Sequence, residues 1–73
     1  MTEAEARAAL RACVAEGGLE RWIAAQRWEA IPSGWRVRRR FAGWRFRVEP
    51  VAGGLNVVMS ARGGEPARWF VPA

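Results

Sequence analysis

The chain has 73 residues, 51% of them hydrophobic, with five tryptophans, three phenylalanines, one cysteine and a net charge of +5. That length makes one domain around one core. A lone cysteine excludes an internal disulfide and any cysteine-based zinc site, and no apolar run approaches the roughly 20 residues of a membrane-spanning helix.

The N-terminal segment reads, in order, as a helix start, a stop and a second helical stretch. Thr2 followed by Glu5 has the capping-box spacing, in which the threonine oxygen accepts from the Glu5 N–H and the glutamate reaches back to the Thr2 N–H. Alanine dominates through Ala15, with Leu10 and Val14 one turn apart on one face. Gly17-Gly18 is a natural stop. A second stretch from Leu19 to Trp28 carries Leu19, Trp22, Ile23 and Gln26 at helical spacing. The two stripes would face different directions on a single straight helix, so the segment is read as two helices or as one broken near Gly17. Pro32-Ser33-Gly34 closes a helical part spanning about 2–30.

From Trp35 the apolar period changes to two. Trp35, Val37 and Phe41 alternate with arginines; so do Trp44, Phe46 and Val48. Leu55, Val57, Met59 and Ala61 form a third run, and Ala67, Trp69 and Val71 a fourth. Glycine-containing turns separate them, which predicts a four-stranded antiparallel meander over 35–71. A two-residue Ala42-Gly43 turn pairs Phe41 with Trp44, Val37 with Val48 and Trp35 with Pro50. A Pro50–Gly53 loop pairs Val48 with Leu55, and a Gly63–Glu65 loop pairs Met59 with Trp69 and Val57 with Val71. All three put apolar side chains on one face. The predicted fold is a two-layer α+β domain with that face packed on the helices through Leu10, Val14, Leu19, Trp22, Ile23 and Trp28.

The charge is unevenly placed. Every base is arginine and every acid glutamate. Residues 1–31 hold four arginines against five glutamates, whereas residues 32–73 hold eight against two. The predicted registers set Arg38 opposite Arg47, Arg40 opposite Arg45 and Arg36 opposite Glu49 on the outer face, with Arg68 on the last strand. Arg39 falls on the inner face, reaching the rim or a helix glutamate. Directly opposed arginines repel, so a face built this way suits an anionic ligand: guanidinium forks match phosphate and carboxylate oxygens. Val58 and Phe70 fall opposite each other beside them, as a candidate stacking or contact pair.

Catalysis is not expected. Histidine, the commonest acid–base group, is absent. Cys13, Ser33, Ser60 and Thr2 have no base placed beside them by the sequence, and the scattered glutamates make no metal-ligand pattern. No zinc-knuckle, RNA-recognition or phosphate-loop motif is present. The expectation is a small non-enzymatic binding module, without cofactor or metal. Its candidate anion-binding residues are Arg36, Arg38, Arg40, Arg45, Arg47 and Arg68, and its candidate partner is nucleic acid or another polyanion. The alternative is a protein-interaction or homodimerising domain whose arginines serve solubility and guard a sheet edge. The free cysteine and the acidic, polar start of the chain predict a cytoplasmic protein.

Overall fold

The computed structural model describes residues 1–14 and 19–73, and the predicted stop at Gly17-Gly18 lies outside them. The architecture is α+β: two helices, α1 (Glu3–Val14) and α2 (Glu20–Ala25), and a five-stranded antiparallel open sheet.

The capping box forms at the start of α1, with a variation. The Glu5 N–H donates to Thr2 Oγ1 at 3.2 Å, but the glutamate carboxylate accepts from the threonine hydroxyl, at 3.2 Å, instead of the Thr2 N–H. Ala6, Ala9 and Leu10 are buried, with Cys13 and Val14 half-buried against the same core. Two alanines on the buried stripe let α1 approach the sheet closely.

At six residues, α2 is too short to hold itself helical in water. Arg7 of α1 secures its end. The guanidinium donates to the carbonyls of Ile23 at 2.8 Å, Ala24 at 3.4 Å and Gln26 at 3.3 Å. The carbonyls at a helix C-terminus lack the usual intrahelical donors; that of Ile23 also accepts from the Gln26 N–H at 3.3 Å. Trp22 of α2 packs its ring on Phe41 and Phe46, with centroids 5.0 and 5.9 Å away.

The helical part ends earlier than predicted. Trp28–Ile31 is a strand, β1, which turns through Pro32-Ser33 into β2 (Gly34–Val37). Pro32 occupies the turn position its fixed φ favours. The strands β3 (Arg45–Val51), β4 (Gly54–Ser60) and β5 (Ala67–Pro72) follow, each antiparallel to the one before, in the order β1-β2-β3-β4-β5. The meander is therefore as predicted, with one more strand.

The predicted registers slip by two residues at three places. Phe41 does pair with Trp44 across an Ala42-Gly43 turn. Beyond it, however, Trp35 meets Val48 and Arg36 meets Arg47. Four residues of the first strand (37–40) thus lie across from two of the second (45 and 46), and the surplus emerges as the Arg38–Arg40 segment. The β3–β4 turn is the two-residue Ala52-Gly53, not a four-residue loop, so Val48 meets Val57 and Pro50 meets Leu55. Between β4 and β5, Met59 meets Ala67 and Val57 meets Trp69. Each slip is even, so the residues paired in the strands keep their predicted faces, and only the Arg38–Arg40 segment leaves them. Val37, Phe46, Val48 and Val57 join Ala6, Ala9, Leu10, Ile23 and Trp28 in one buried cluster.

Two glycines are required by close approach. A Cβ at Gly34 would run into the Val48 carbonyl oxygen, and one at Gly54 into the Val71 carbonyl oxygen.

Candidate polyanion-binding surface

The sheet face away from the helices is built by alternation. Along its middle run Glu29, Arg36, Arg47, Val58 and Arg68, each opposite the next on successive strands. Arg45, opposite Ser60, stands one step along β3, and Glu49, Asn56 and Phe70 form the neighbouring row.

Three of the six predicted arginines have carboxylate partners. Arg36 is bound by Glu29 through both Nε, at 2.7 Å, and Nη2. Arg38 approaches the other oxygen of Glu29 at 3.8 Å, and Arg47 pairs with Glu49 at 3.3 Å. The predicted Arg36–Glu49 pair is thereby replaced, because the register sets Arg47, not Glu49, across from Arg36. The opposed pairs Arg38–Arg47 and Arg40–Arg45 do not form either; the surplus segment carries Arg38 and Arg40 out of the β2–β3 ladder. Arg40 instead donates to the Gly43 carbonyl at 3.1 Å. Among the described residues Arg45 and Arg68 have no carboxylate within ion-pair distance.

The Val58–Phe70 pair is also corrected. Val58 lies opposite Arg68 and Phe70 opposite Asn56. Val58 is 0% exposed and lies outside the helix-side core, so it cannot touch a ligand. Its neighbours Arg47 and Arg68 are the residues placed to cover it with their aliphatic stems. Phe70 is 54% exposed. Its ring edge leans over Gly54, where an added Cβ would stand 3.0 Å from Cζ.

A second group of arginines lies beyond this row. Arg27, Arg38 and Arg39, with Ala25 and Gln26, line a cleft of about 450 Å³. A backbone bond from the Arg38 N–H to the Arg27 carbonyl, at 2.9 Å, carries the β1–β2 ladder one step past Trp28 and holds the two arginines together. No carboxylate belongs to this lining, although Glu29 approaches Arg38 from outside it. Arg39 is exposed here and has no carboxylate partner among the described residues, in place of the inner-face position predicted for it. Arg27 was hidden from sequence reasoning by its assignment to a helix. The signal that could have exposed it is the turn Ile31-Pro32-Ser33-Gly34, which favours a hairpin with Trp28 and Ala30 facing inward.

A second cleft of about 390 Å³ lies beside the Ala42-Gly43 turn, lined by Arg40, Ala42, Gly43, Trp44, Ala61 and Arg62.

Burial pushes the Cys13 thiol above its ordinary pKa, which makes it a poor nucleophile near neutral pH. Among the described residues no cluster of three or more cysteine, aspartate or glutamate side chains is arranged to hold a metal, and no helix is long and apolar enough to cross a membrane. No protein-family model, curated protein or solved structure matches the chain.

Proposed function

We propose that this domain binds a polyanion, with nucleic acid the best-suited class. The contact surface runs from the Arg27–Arg38–Arg39 cleft to Arg45 and Arg68 on the outer face. The observation that carries this reading is the cleft itself: Arg27, Arg38 and Arg39 line it with no carboxylate in the lining, and Glu29 reaches only Arg38. Like charges brought together raise the free energy of the empty protein, and an anion relieves it. Arg36 and Arg47, already paired, act as supports that hold the row in register.

Fluorescence polarisation with labelled single-stranded RNA, single-stranded DNA and duplex DNA, at about 50 and 200 mM salt, tests it. Affinity should fall steeply with salt, because each neutralised phosphate releases a counterion. Replacing Arg39, Arg45 and Arg68 by glutamine should weaken binding and lower the melting temperature by no more than a few degrees, the shorter stem at position 68 covering Val58 less fully. The salt slope should flatten by about 0.7–0.9 for every phosphate that is no longer neutralised. Equal affinity in the triple variant would remove the assignment.

A second reading has its own observation. β5 is an edge strand on which Trp69 and Phe70 are both exposed, and such an edge is a template for another strand. Light scattering on a sizing column would show a mass above one chain if the occupant is a second copy.

A further inference from the structure

Trp44 is poorly explained by packing. Alternation puts it on the inner face, yet its side chain remains 36% exposed. Its bridge partner Phe41 turns toward Trp22, and Trp44 itself takes part in no ring–ring contact among the described residues. The residues around it are small: Ala42, Gly43 and Ala61 leave the space above the turn open, and Arg40 and Arg62 complete the lining. The cleft volume of about 390 Å³ lies within the range of small-ligand sites, roughly 300–1,000 Å³. Arg40 is steadied by its bond to the Gly43 carbonyl. The backbone at the site is unusual too. Ala42 has φ of 49°, a region that non-glycine residues seldom occupy outside sites where the surroundings impose it.

We infer that this cleft receives one unpaired nucleobase of a single-stranded nucleic acid, stacked on the Trp44 indole, with the adjoining phosphates on Arg40 and Arg62. The inference deepens the polyanion reading and rests on it. An aromatic face accepts any base, because every base has a π-face, and guanidinium groups at its rim hold the backbone without reading sequence. A duplex keeps its bases stacked and paired and cannot offer one to the indole. The cleft therefore adds strand selectivity to a surface whose other contacts are electrostatic.

The test is polarisation of a labelled single-stranded RNA and a duplex of equal length, with the full chain and its Trp44→Ala and Trp44→Phe variants. Trp44→Ala should weaken single-strand binding about tenfold or more, in line with the loss of one stacked base. Duplex binding should be unchanged, and Trp44→Phe should retain most of the affinity. Thermal melts establish that the variants fold. Should Trp44→Ala not fold, backbone amide shifts of the unmodified protein on adding uridine monophosphate replace it. Those shifts should be confined to Arg40–Trp44 and Ala61–Arg62, and their absence there overturns the inference. Single-strand affinity indifferent to Trp44, or single-strand and duplex affinity weakened alike, also overturns it. Salt-dependent binding that ignores Trp44 leaves the arginine surface standing without the cleft. Binding that needs Trp44 but ignores salt and the glutamine variants supports base capture and removes the arginine surface.

Discussion

Ala42 and Gly43 both have positive φ, at 49° and 86°, as a two-residue type I′ turn requires. Glycine does this freely; alanine brings its Cβ close to the following carbonyl oxygen, at a cost of about 1 kcal/mol. Asparagine tolerates this region much better. Ala42→Asn should therefore stabilise the fold by about 0.5–1 kcal/mol, raising the melting temperature by roughly 3–6 °C for a chain of this size. A melting temperature that stays level or falls would mean that the turn is not of this kind. Val58 shows where residue-scale reading runs out. Its place on the outer face follows from alternation alone, and the structure agrees. Its complete burial depends on the length of the side chains beside it, which no pattern of apolar and polar letters records.

At the scale of elements, one side chain does much of the assembly. Arg7 joins α1 to the end of α2, and its guanidinium carbon lies 6.0 Å from the centre of the Trp28 ring on β1. The Glu3 carboxylate, 3.6 Å away, holds it from behind. Removing the guanidinium in Arg7→Met takes away three charged hydrogen bonds, leaving the Ile23 carbonyl only the Gln26 N–H, and should cost about 2–3 kcal/mol. The expected fall in melting temperature is at least about 8 °C, whereas a fall of under about 2 °C would make Arg7 incidental. Arg7→Lys should restore less than half, because a single ammonium does not reproduce the planar fork. None of this was visible beforehand, since Arg7 is one of several arginines spaced through the helical segment. β1 was missed for a different reason: a four-residue strand shows only two positions on the helix-side face, Trp28 and Ala30, of which only Trp28 is buried, too few to reveal a period of two after a convincing helical stripe. The core face was legible because alternation survives any even slip. The cross-strand partners were not, because two registers that differ by two residues satisfy the same pattern equally well, and only turn geometry separates them.

For the whole molecule, the division of charge into a balanced first part and a basic second part is a property of the chain, not of the surface. Folding moves Arg27 beside Arg38 and Arg39, and Glu29 between Arg36 and Arg38. Two acids, Glu29 and Glu49, thus anchor the middle of the arginine row, and the uncompensated charge shifts to its ends and to the two clefts. Of the six candidate arginines only Arg38 and Arg40 line a cleft, and Arg27, Arg39, Arg62 and Trp44, which the clefts bring forward, lay outside the predicted set.

The surplus at Arg38–Arg40 separates shape from charge. Deleting Arg39 and Arg40 would leave Arg38 across from Arg45 and keep Phe41 against Trp44, so the β2–β3 hairpin could close as an unbroken ladder. Such a chain should still fold, with a melting temperature within a few degrees of the parent, while two fewer arginines weaken its hold on a polyanion. Failure to fold would show instead that the extra length relieves twist the sheet cannot otherwise accommodate. If the shortened hairpin does stand, the basic segment is a graft on a self-sufficient frame, and it can be resized only in steps of two residues without turning the aromatic tip inside out.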